Sequence, residues 1–225
     1  AGIVGSYNGL LSYGIKTNKF SLKHANLCLD SKEMFMQLNN LILDKEKIVV
    51  TGSGKVALGV VETLNFARIK EVSKEEFMRE KFNEPVFVRL DVLDYNIRKD
   101  SIKSSKQDFY LNPEAYMSDL YRYIKLADIF IAGHYYSLGS PVLLTREDLR
   151  DVKLKVIADI SCDINGPIAS TLRSSTVADP IYGYNKKSMK EDDFLHDDAI
   201  VVMAVDNLPC ELPNDSSRDF GEQLI

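Results

Sequence analysis

A glycine-rich turn between a buried strand and a helix is the feature that most restricts the fold of this chain. Residues 47–51 (KIVVT) are β-branched and apolar on both faces, which is typical of a central strand in a parallel sheet. Residues 52–57 (GSGKVA) follow directly, and helical periodicity begins at Lys55. Strand, glycine turn and helix in this order predict the first half of a βαβ unit.

The turn has the pattern G-x-G-x-x-A, which predicts a binding site for the diphosphate of a dinucleotide. Gly52 permits the tight turn, Gly54 lets a pyrophosphate approach the backbone, and Ala57 keeps helix and strand close. Amides at the helix start, together with the helix dipole, would bind the phosphates. The predicted contacts are Gly52, Ser53, Gly54, Val56 and Ala57. A purely structural turn, or a site for another nucleotide or S-adenosylmethionine, is the alternative.

Apolar runs alternate with helical stretches over the rest of the chain. This alternation predicts an α/β fold with a Rossmann-like, doubly wound, mostly parallel sheet and flanking helices. Residues 1–45 are expected to be an N-terminal segment of interdomain helices, and residues 46–225 the NAD(P)-binding domain. Predicted strands cover 47–51, 69–72, 86–90, 128–132, 154–160 and 199–205, predicted helices cover 1–15, 30–43, 55–66 and 113–126, and residues 91–112 are expected to form an exposed loop.

The end of the second predicted strand bears on the type of dinucleotide. NAD enzymes usually carry Asp or Glu there, which binds the ribose 2′-hydroxyl. Here the strand is followed by Ser73 and Lys74, and a hydroxyl with a cation suits the 2′-phosphate of NADP. NADP is therefore favoured slightly over NAD, and a solvated Lys74 at a helix start is an equal alternative.

Polar residues also follow two later apolar runs, at the expected carboxyl edge of the sheet. Asp163 is predicted to bind the nicotinamide ribose or to orient a substrate ammonium. Asp159 is expected to accept hydrogen bonds within its own turn. Asp206 or Asn207 is expected to be the N-cap of the helix that begins near Pro209, and contact of both residues with cofactor is compatible with that capping. Ile160 and Leu208 complete this part of the predicted cofactor-binding set.

Aromatic residues follow the fourth predicted strand. His134 has no catalytic partner in the sequence, so it is expected to form a wall of the cofactor pocket or to be structural. Tyr135 and Tyr136 are expected to stack against the dinucleotide or to line its groove, with core packing as an equal explanation. Cys162 lies in the same expected pocket, but no histidine accompanies it, so it is not predicted to be a nucleophile.

The composition excludes several partners. A formal net charge of -5 at pH 7 provides no electrostatic footprint for nucleic acid or anionic lipid. No apolar run approaches the roughly 20 residues that span a bilayer. The three cysteines lie far apart without metal-ligand spacing, which favours reduced thiols in a cytoplasmic protein and no metal site. A homo-oligomer remains open.

Several motifs in combination resemble the lysine–2-oxoglutarate reductase/saccharopine dehydrogenase family, within the superfamily of alanine dehydrogenase and transhydrogenase. The resemblance extends from about Ile48 to the end of the chain. The motifs are residues 51–54 (TGSG), 108–116 (DFYLNPEAY), 159–163 (DISCD) with Gly166, 178–182 (ADPIY), and 206–213 (DNLPCELP) with Phe220 and Gly221.

The resemblance implies an NAD(P)-dependent oxidoreductase in which Asp163 and Asn207 lie near the nicotinamide, with Asp163 as the supporting catalytic residue. It further implies hydride transfer between NAD(P)H and the imine formed from lysine and 2-oxoglutarate. Acid–base chemistry in this family uses a Lys and a His from a separate substrate domain, and no matching pair is found here. The chain is therefore expected to be an excised domain that is inactive alone. An alanine dehydrogenase-like enzyme or a noncatalytic dinucleotide sensor is the alternative.

Overall fold

The computed structural model describes residues 1–137 and 139–222. The strands in chain order are β1 (Lys47–Thr51), β2 (Lys70–Glu71), β3 (Val86–Leu90), β4 (Asn96–Arg98), β5 (Tyr116–Ser118), β6 (Ile129–Ala132), β7 (Val156–Asp159), β8 (Ile181–Asn185), β9 (Lys190–Asp192) and β10 (Ala199–Met203). The helices are α1 (Gly2–Thr17), α2 (Ser31–Gln37), α3 (Lys55–Phe66), α4 (Lys74–Arg79), α5 (Val92–Tyr95), α6 (Lys106–Leu111), α7 (Tyr121–Ile124), α8 (Arg146–Arg150) and α9 (Pro213–Glu222). Short 3-10 helices cover Ala25–Leu27, Leu38–Asn40, Pro113–Ala115 and Leu208–Glu211.

One eight-stranded sheet runs through the centre, in the order β2-β3-β1-β6-β7-β10-β8-β9. The pairs from β2 to β10 in this order are parallel, whereas β8 and β9 add to the sheet antiparallel. From β1 the chain continues to β2 at the sheet edge, returns to β3 between β2 and β1, and then crosses to β6 on the opposite side of β1. Since the order reverses there, β1 and β6 flank the topological switch point, where ligands bind in such sheets. The predicted Rossmann-like, mostly parallel fold is confirmed.

The sheet is buried on both faces. Ile48 and Val50 of β1 belong to one apolar core, and Val49 between them belongs to the core on the opposite face. All three side chains are fully buried. Burial on both sides explains why β1 is apolar throughout rather than alternating.

Helix α1 packs on one face of this sheet. The predicted N-terminal helix is confirmed, and its Tyr7 and Leu10 are fully buried in the same core as Ile48 and Val50. A direct link to the far end of the chain comes from the Asn8 amide, which donates to the Glu211 carboxylate at 2.8 Å. The division at residue 45 into an interdomain segment and a nucleotide domain stays a prediction.

The segment between β3 and β6 differs from the prediction. The expected loop at 91–112 contains α5, β4 and α6, and the expected helix at 113–126 is replaced by a 3-10 turn, β5 and α7. Strands β4 and β5 pair antiparallel as a separate two-stranded sheet. Both predictions were wrong because this pairing joins residues about twenty positions apart, and local periodicity does not record it. Pro113 does begin a helix, but only a 3-10 turn of three residues.

Two further differences concern helix length and the sheet edge. Helix α2 ends at Gln37 rather than continuing to residue 43. Its predicted start is confirmed, because the Asp30 side chain caps it by accepting a hydrogen bond from the Glu33 amide. Strands β8 and β9 were not predicted. Gly183 interrupts the first of them, and glycine weakens the strand signal of a sequence. Within residues 1–137 and 139–222, no helix is long and apolar enough to cross a membrane.

Candidate functional site

A cavity of about 770 Å³ opens at the carboxyl edge of the sheet. The turns that follow β1, β6 and β7 form most of its walls, and the segment after β3 closes one side. Because these four strands are parallel, their carboxyl ends meet at one edge. The lining residues are Gly52, Ser53, Gly54, Lys55, Val56, Val92, Tyr95, Tyr110, Gly133, His134, Tyr135, Tyr136, Ile160, Ser161 and Asp163.

The backbone of Gly52 has a conformation that favours glycine. Its φ is 106°, in the left-handed half of the backbone map. A Cβ atom there would lie 2.6 Å from the Gly133 carbonyl oxygen. The Gly52 amide donates to the Leu90 carbonyl at 2.9 Å, which ties the turn to the end of β3. The turn therefore connects the ends of three neighbouring strands.

Gly54 differs from Gly52 in what surrounds it. It precedes α3 with φ near −85°, a conformation open to any residue, and a Cβ there would have no heavy atom within 4 Å. The space beside the turn is therefore open to a ligand group. Ala57, by contrast, is fully buried, as its predicted role in helix–strand packing requires.

The start of α3 supplies hydrogen-bond donors to this space. The first bond of the helix runs from the Leu58 amide to the Gly54 carbonyl, so the preceding amides lack intrahelical acceptors. The N-cap residue is Gly54, which has no side chain to cap this terminus, and the first turn carries no acidic residue. Uncapped amides and an uncompensated helix dipole favour an anion.

His134 forms a neutral wall of the cavity. The residue is 7% exposed, and its Nδ1 lies 2.7 Å from the Thr51 hydroxyl oxygen. Nε2 has no hydrogen-bond partner among the described residues. Burial lowers the pKa of His134 to about 4, against the opposing effect of the Asp163 charge. His134 is therefore uncharged at neutral pH.

This burial predicts a pH-dependent loss of stability. The unfolded chain has the ordinary histidine pKa of 6.5, so between pH 6.5 and 4 it binds a proton that the folded state does not. The free energy of unfolding should therefore fall with decreasing pH in this window, with a His134 contribution of about 3 kcal/mol. We expect His134→Gln to remove that contribution, measured as urea unfolding at pH 7 and pH 4. His196→Gln, at an exposed histidine, is the control; the same pH dependence in both variants would contradict the account.

The end of β7 carries two aspartates with different surroundings. Asp159 is fully buried and accepts from the Thr171 hydroxyl at 2.6 Å, the Ser161 hydroxyl at 2.9 Å and the Cys162 amide at 3.2 Å. Burial raises the pKa of Asp159 against these hydrogen bonds. Asp159 thus organises its own turn, whereas Asp163 lines the cavity.

Cys162 joins this turn to the end of β10. It adopts φ 57°, and its thiol donates to the Ala204 carbonyl at 2.7 Å. Burial raises the pKa of Cys162 to about 11, with the charges of Asp159, Asp206 and Asp163 adding to the effect. The thiol is therefore protonated at neutral pH and a poor nucleophile.

The residues after β10 lie at the predicted edge but outside the cavity lining. Since β10 pairs parallel with β7, both strands end on the side of the glycine turn. Asp206 and Asn207 are exposed, whereas Leu208 is buried in the core beneath α1. Asn207 occupies the N-cap position of the following 3-10 helix, as predicted for Asp206 or Asn207, although its side chain makes no capping hydrogen bond.

Ser73 and Lys74 have structural partners. The Ser73 hydroxyl accepts from the Glu76 amide at 3.2 Å and caps α4. Lys74 pairs with Asp94 at 2.5 Å. Both follow β2, which is separated from β1 by β3. They do not line the cavity, and their contact with a cofactor stays a prediction.

Three aromatic and apolar lining residues were not predicted. Val92, Tyr95 and Tyr110 come from the segment that was expected to be a loop. Tyr95 is buried with its ring 6.2 Å from that of His134, whereas Tyr110 is 62% exposed beside the opening. The aromatic residues at 109–110 and the capping box at Asp91 were signals in the sequence that favoured structure there.

The strand order and the glycine turn at the switch point define a doubly wound, Rossmann-like domain with a cavity at its carboxyl edge. No family model matches the sequence. The chain is 27% identical over 198 residues to the alpha-aminoadipic semialdehyde synthase of Arabidopsis thaliana, covering 78% of this chain and 19% of that protein. It is 28% identical over 207 residues to the mitochondrial alpha-aminoadipic semialdehyde synthase of Rattus norvegicus, covering 78% and 22%.

A saccharopine dehydrogenase (NAD(+), L-lysine-forming) of Schizosaccharomyces pombe is 31% identical over 105 residues, or 44% of this chain and 26% of that protein. These relatives confirm the resemblance to the lysine–2-oxoglutarate reductase/saccharopine dehydrogenase family. The chain spans about a fifth to a quarter of the length of the curated relatives it matches. Among solved structures, an L-alanine dehydrogenase superposes with a TM-score of 0.46 at 14% identity, covering 96% of this chain and 50% of that one.

Proposed function

We propose that this chain binds a pyridine dinucleotide, NAD(H) or NADP(H), and holds its nicotinamide for hydride transfer in a saccharopine dehydrogenase-like oxidoreductase. The observation that carries the proposal is one continuous cavity, which joins the open glycine turn and the uncapped start of α3 to Asp163. An anion-binding end and a polar end in one groove at the switch point suit an extended dinucleotide.

Residues at different positions along this cavity would bind different parts of the dinucleotide. The amides after Gly54 would bind the diphosphate, and the neutral His134 and the apolar Val56 and Ile160 would exclude water around it. Asp163 would accept a hydrogen bond from the nicotinamide ribose, with Asn207 at the same sheet edge. When bound, the dinucleotide supplies the hydride, and the protein contributes position and surroundings.

The substrate part of the proposal depends on the relatives. Their names specify alpha-aminoadipic semialdehyde synthesis and saccharopine dehydrogenation. We therefore propose that the protein containing this chain acts on the imine of lysine and 2-oxoglutarate, with an acid–base pair from outside these residues. On this proposal the chain alone binds dinucleotide without turnover. A homo-oligomer and a cytoplasmic location stay predictions.

Calorimetric titration of the chain with NADH and NADPH tests the binding step. We expect at least one of them to bind with a Kd in the range of about 1 µM to 1 mM that is ordinary for such sites. S-adenosylmethionine is the control ligand, since it lacks the diphosphate. Binding of S-adenosylmethionine but of neither dinucleotide would contradict the proposal.

The substrate is tested separately, with the full-length protein and the absorbance of reduced nicotinamide as readout. We expect oxidation of the reduced cofactor when lysine and 2-oxoglutarate are both present. Turnover of pyruvate and ammonia instead would show an alanine dehydrogenase-like enzyme. Dinucleotide binding without turnover of either substrate pair would favour a sensor.

A further inference from the structure

The strand beside β1 is β3, although β2 precedes it in the chain. Strand β3 pairs with β1 along its whole length, with Thr51 opposite Leu90. Strand β2 pairs only with β3, so its end lies one further strand spacing away, about 4.8 Å. In a Rossmann-like sheet the residue after the strand next to β1 is the one that meets the adenosine ribose. Here that residue is Asp91.

Several contacts hold Asp91 against the glycine turn. The Gly52 amide donates to the carbonyl of Leu90, the residue before Asp91, at 2.9 Å. The Ser53 hydroxyl lies close enough to the Asp91 carboxylate to contribute to lowering the pKa of Asp91. Val92, the next residue in the chain, lines the cavity. Ser53, on the glycine turn, lines it as well. Asp91 therefore lies at the rim of the cavity, next to the start of the diphosphate site.

The carboxylate of Asp91 is ionised and partly accessible. Burial alone would raise the pKa of Asp91, but hydrogen bonds from Lys106 and the Val92 amide outweigh it and hold the pKa below its usual range. The side chain is 30% exposed. An ionised carboxylate accepts hydrogen bonds and donates none, which suits a ribose diol and opposes a phosphate.

We propose that Asp91 makes the cavity selective for NAD(H) over NADP(H), by accepting hydrogen bonds from the adenosine ribose hydroxyls. The inference rests on the proposed dinucleotide function and narrows it to one cofactor. A 2′-phosphate would bring a second negative group against the Asp91 carboxylate. The repulsion would act beside the buried turn, where screening by solvent is weaker than at the surface.

The lysines near Asp91 already have carboxylate partners. Lys106 lies 2.5 Å from Asp91, and Lys74 lies 2.5 Å from Asp94. A 2′-phosphate could form an ion pair with Lys106 only by displacing it from Asp91. The Asp91 carboxylate would then have no cation to compensate its charge. A ribose hydroxyl adds no charge and can share the carboxylate or displace the half-exposed Lys106, because an exposed ion pair is weak.

Titration of the folded wild-type chain with NADH and NADPH, and of two variants, tests the assignment. We expect wild type to bind NADH at least about tenfold more tightly than NADPH. The NADPH complex would lack the hydrogen bond from the 2′-hydroxyl to the charged Asp91, and the loss of such a bond has an effect of about this size. In Asp91→Asn, which keeps a good N-cap for α5, NADH should weaken about tenfold and NADPH should strengthen. Glu75→Gln, which removes one exposed charge from neighbouring α4, should keep the wild-type ratio.

The outcomes separate this inference from the proposed function. Wild type binding NADPH as tightly as NADH, or Asp91→Asn keeping the wild-type ratio, overturns the role of Asp91 while dinucleotide binding stands. Binding of neither cofactor by wild type overturns the proposed function and the inference together. Thermal unfolding of each variant establishes that the folded protein is being titrated.

Discussion

The variant Gly54→Val is expected to lose dinucleotide binding and keep its fold. A side chain at Gly54 would have no protein atom within 4 Å of its Cβ, and the backbone φ near −85° suits any residue. Valine is a poorer N-cap than glycine, which costs about 1 kcal/mol. Its two methyl groups, however, would occupy the space in which the diphosphate meets the amides of α3. We expect affinity for NADH to fall more than about 100-fold in calorimetry, a loss of about 2.7 kcal/mol.

The graded variant Gly54→Ala separates steric exclusion from an indirect effect. A single methyl group fills part of the same space, so its loss of affinity should be smaller than that of valine. Thermal unfolding of both variants should stay close to wild type. Wild-type affinity in Gly54→Val would show that the diphosphate does not approach this residue.

Gly52→Ala is expected to destabilise the fold itself. Alanine would have to adopt φ 106° with its Cβ 2.6 Å from the Gly133 carbonyl oxygen and 2.9 Å from the carbonyl carbon. The strained backbone and the contact between two strand ends together should cost on the order of 3 kcal/mol. For a domain of this size that corresponds to a fall in Tm of about 6–12 °C.

Gly54→Ala is the matched control for this second variant, since it makes the same change two residues further along. Its Tm should stay within about 3 °C of wild type, because the cost of replacing the N-cap glycine is about 1 kcal/mol. Equal losses of stability in the two variants would contradict the contrast between a closed position at Gly52 and an open one at Gly54.

Much of the fold could be predicted because its signals are local. The apolar run of β1, the glycine turn and the periodicity of α3 are adjacent in the chain, and each restricts the next. The carboxyl-edge placement of Asp163 also followed, because parallel strands end at one edge once the βαβ pattern is recognised. These inferences need no knowledge of which strand pairs with which.

The order of the strands in the sheet could not be predicted from such local signals. Ser73 and Lys74 were chosen for cofactor selection because their strand comes second in the chain, but β3 is the neighbour of β1. Strand pairing depends on contacts between distant residues, so chain order is a poor guide to it. The same limit hid the pairing of β4 with β5, and with it the contributions of Tyr95 and Tyr110 to the cavity.

Two strand ends were predicted to contact the nicotinamide, and the structure places the residues of only one of them in the cavity. Asp163 lines the cavity, whereas Asp206 and Asn207 are exposed beside it and Leu208 packs into the core. A strand pattern predicts the edge at which a side chain lies. It does not predict how the chain turns after the strand, which here begins a 3-10 helix at Leu208.

The central claim is that one dinucleotide spans the cavity from the start of α3 to the end of β7. A crystal structure of the chain soaked with NADH tests it most directly. The account predicts diphosphate oxygens within hydrogen-bond distance of the amides after Gly54 and the nicotinamide ribose beside Asp163. A dinucleotide bound elsewhere, with the space beside Gly54 empty, would contradict it.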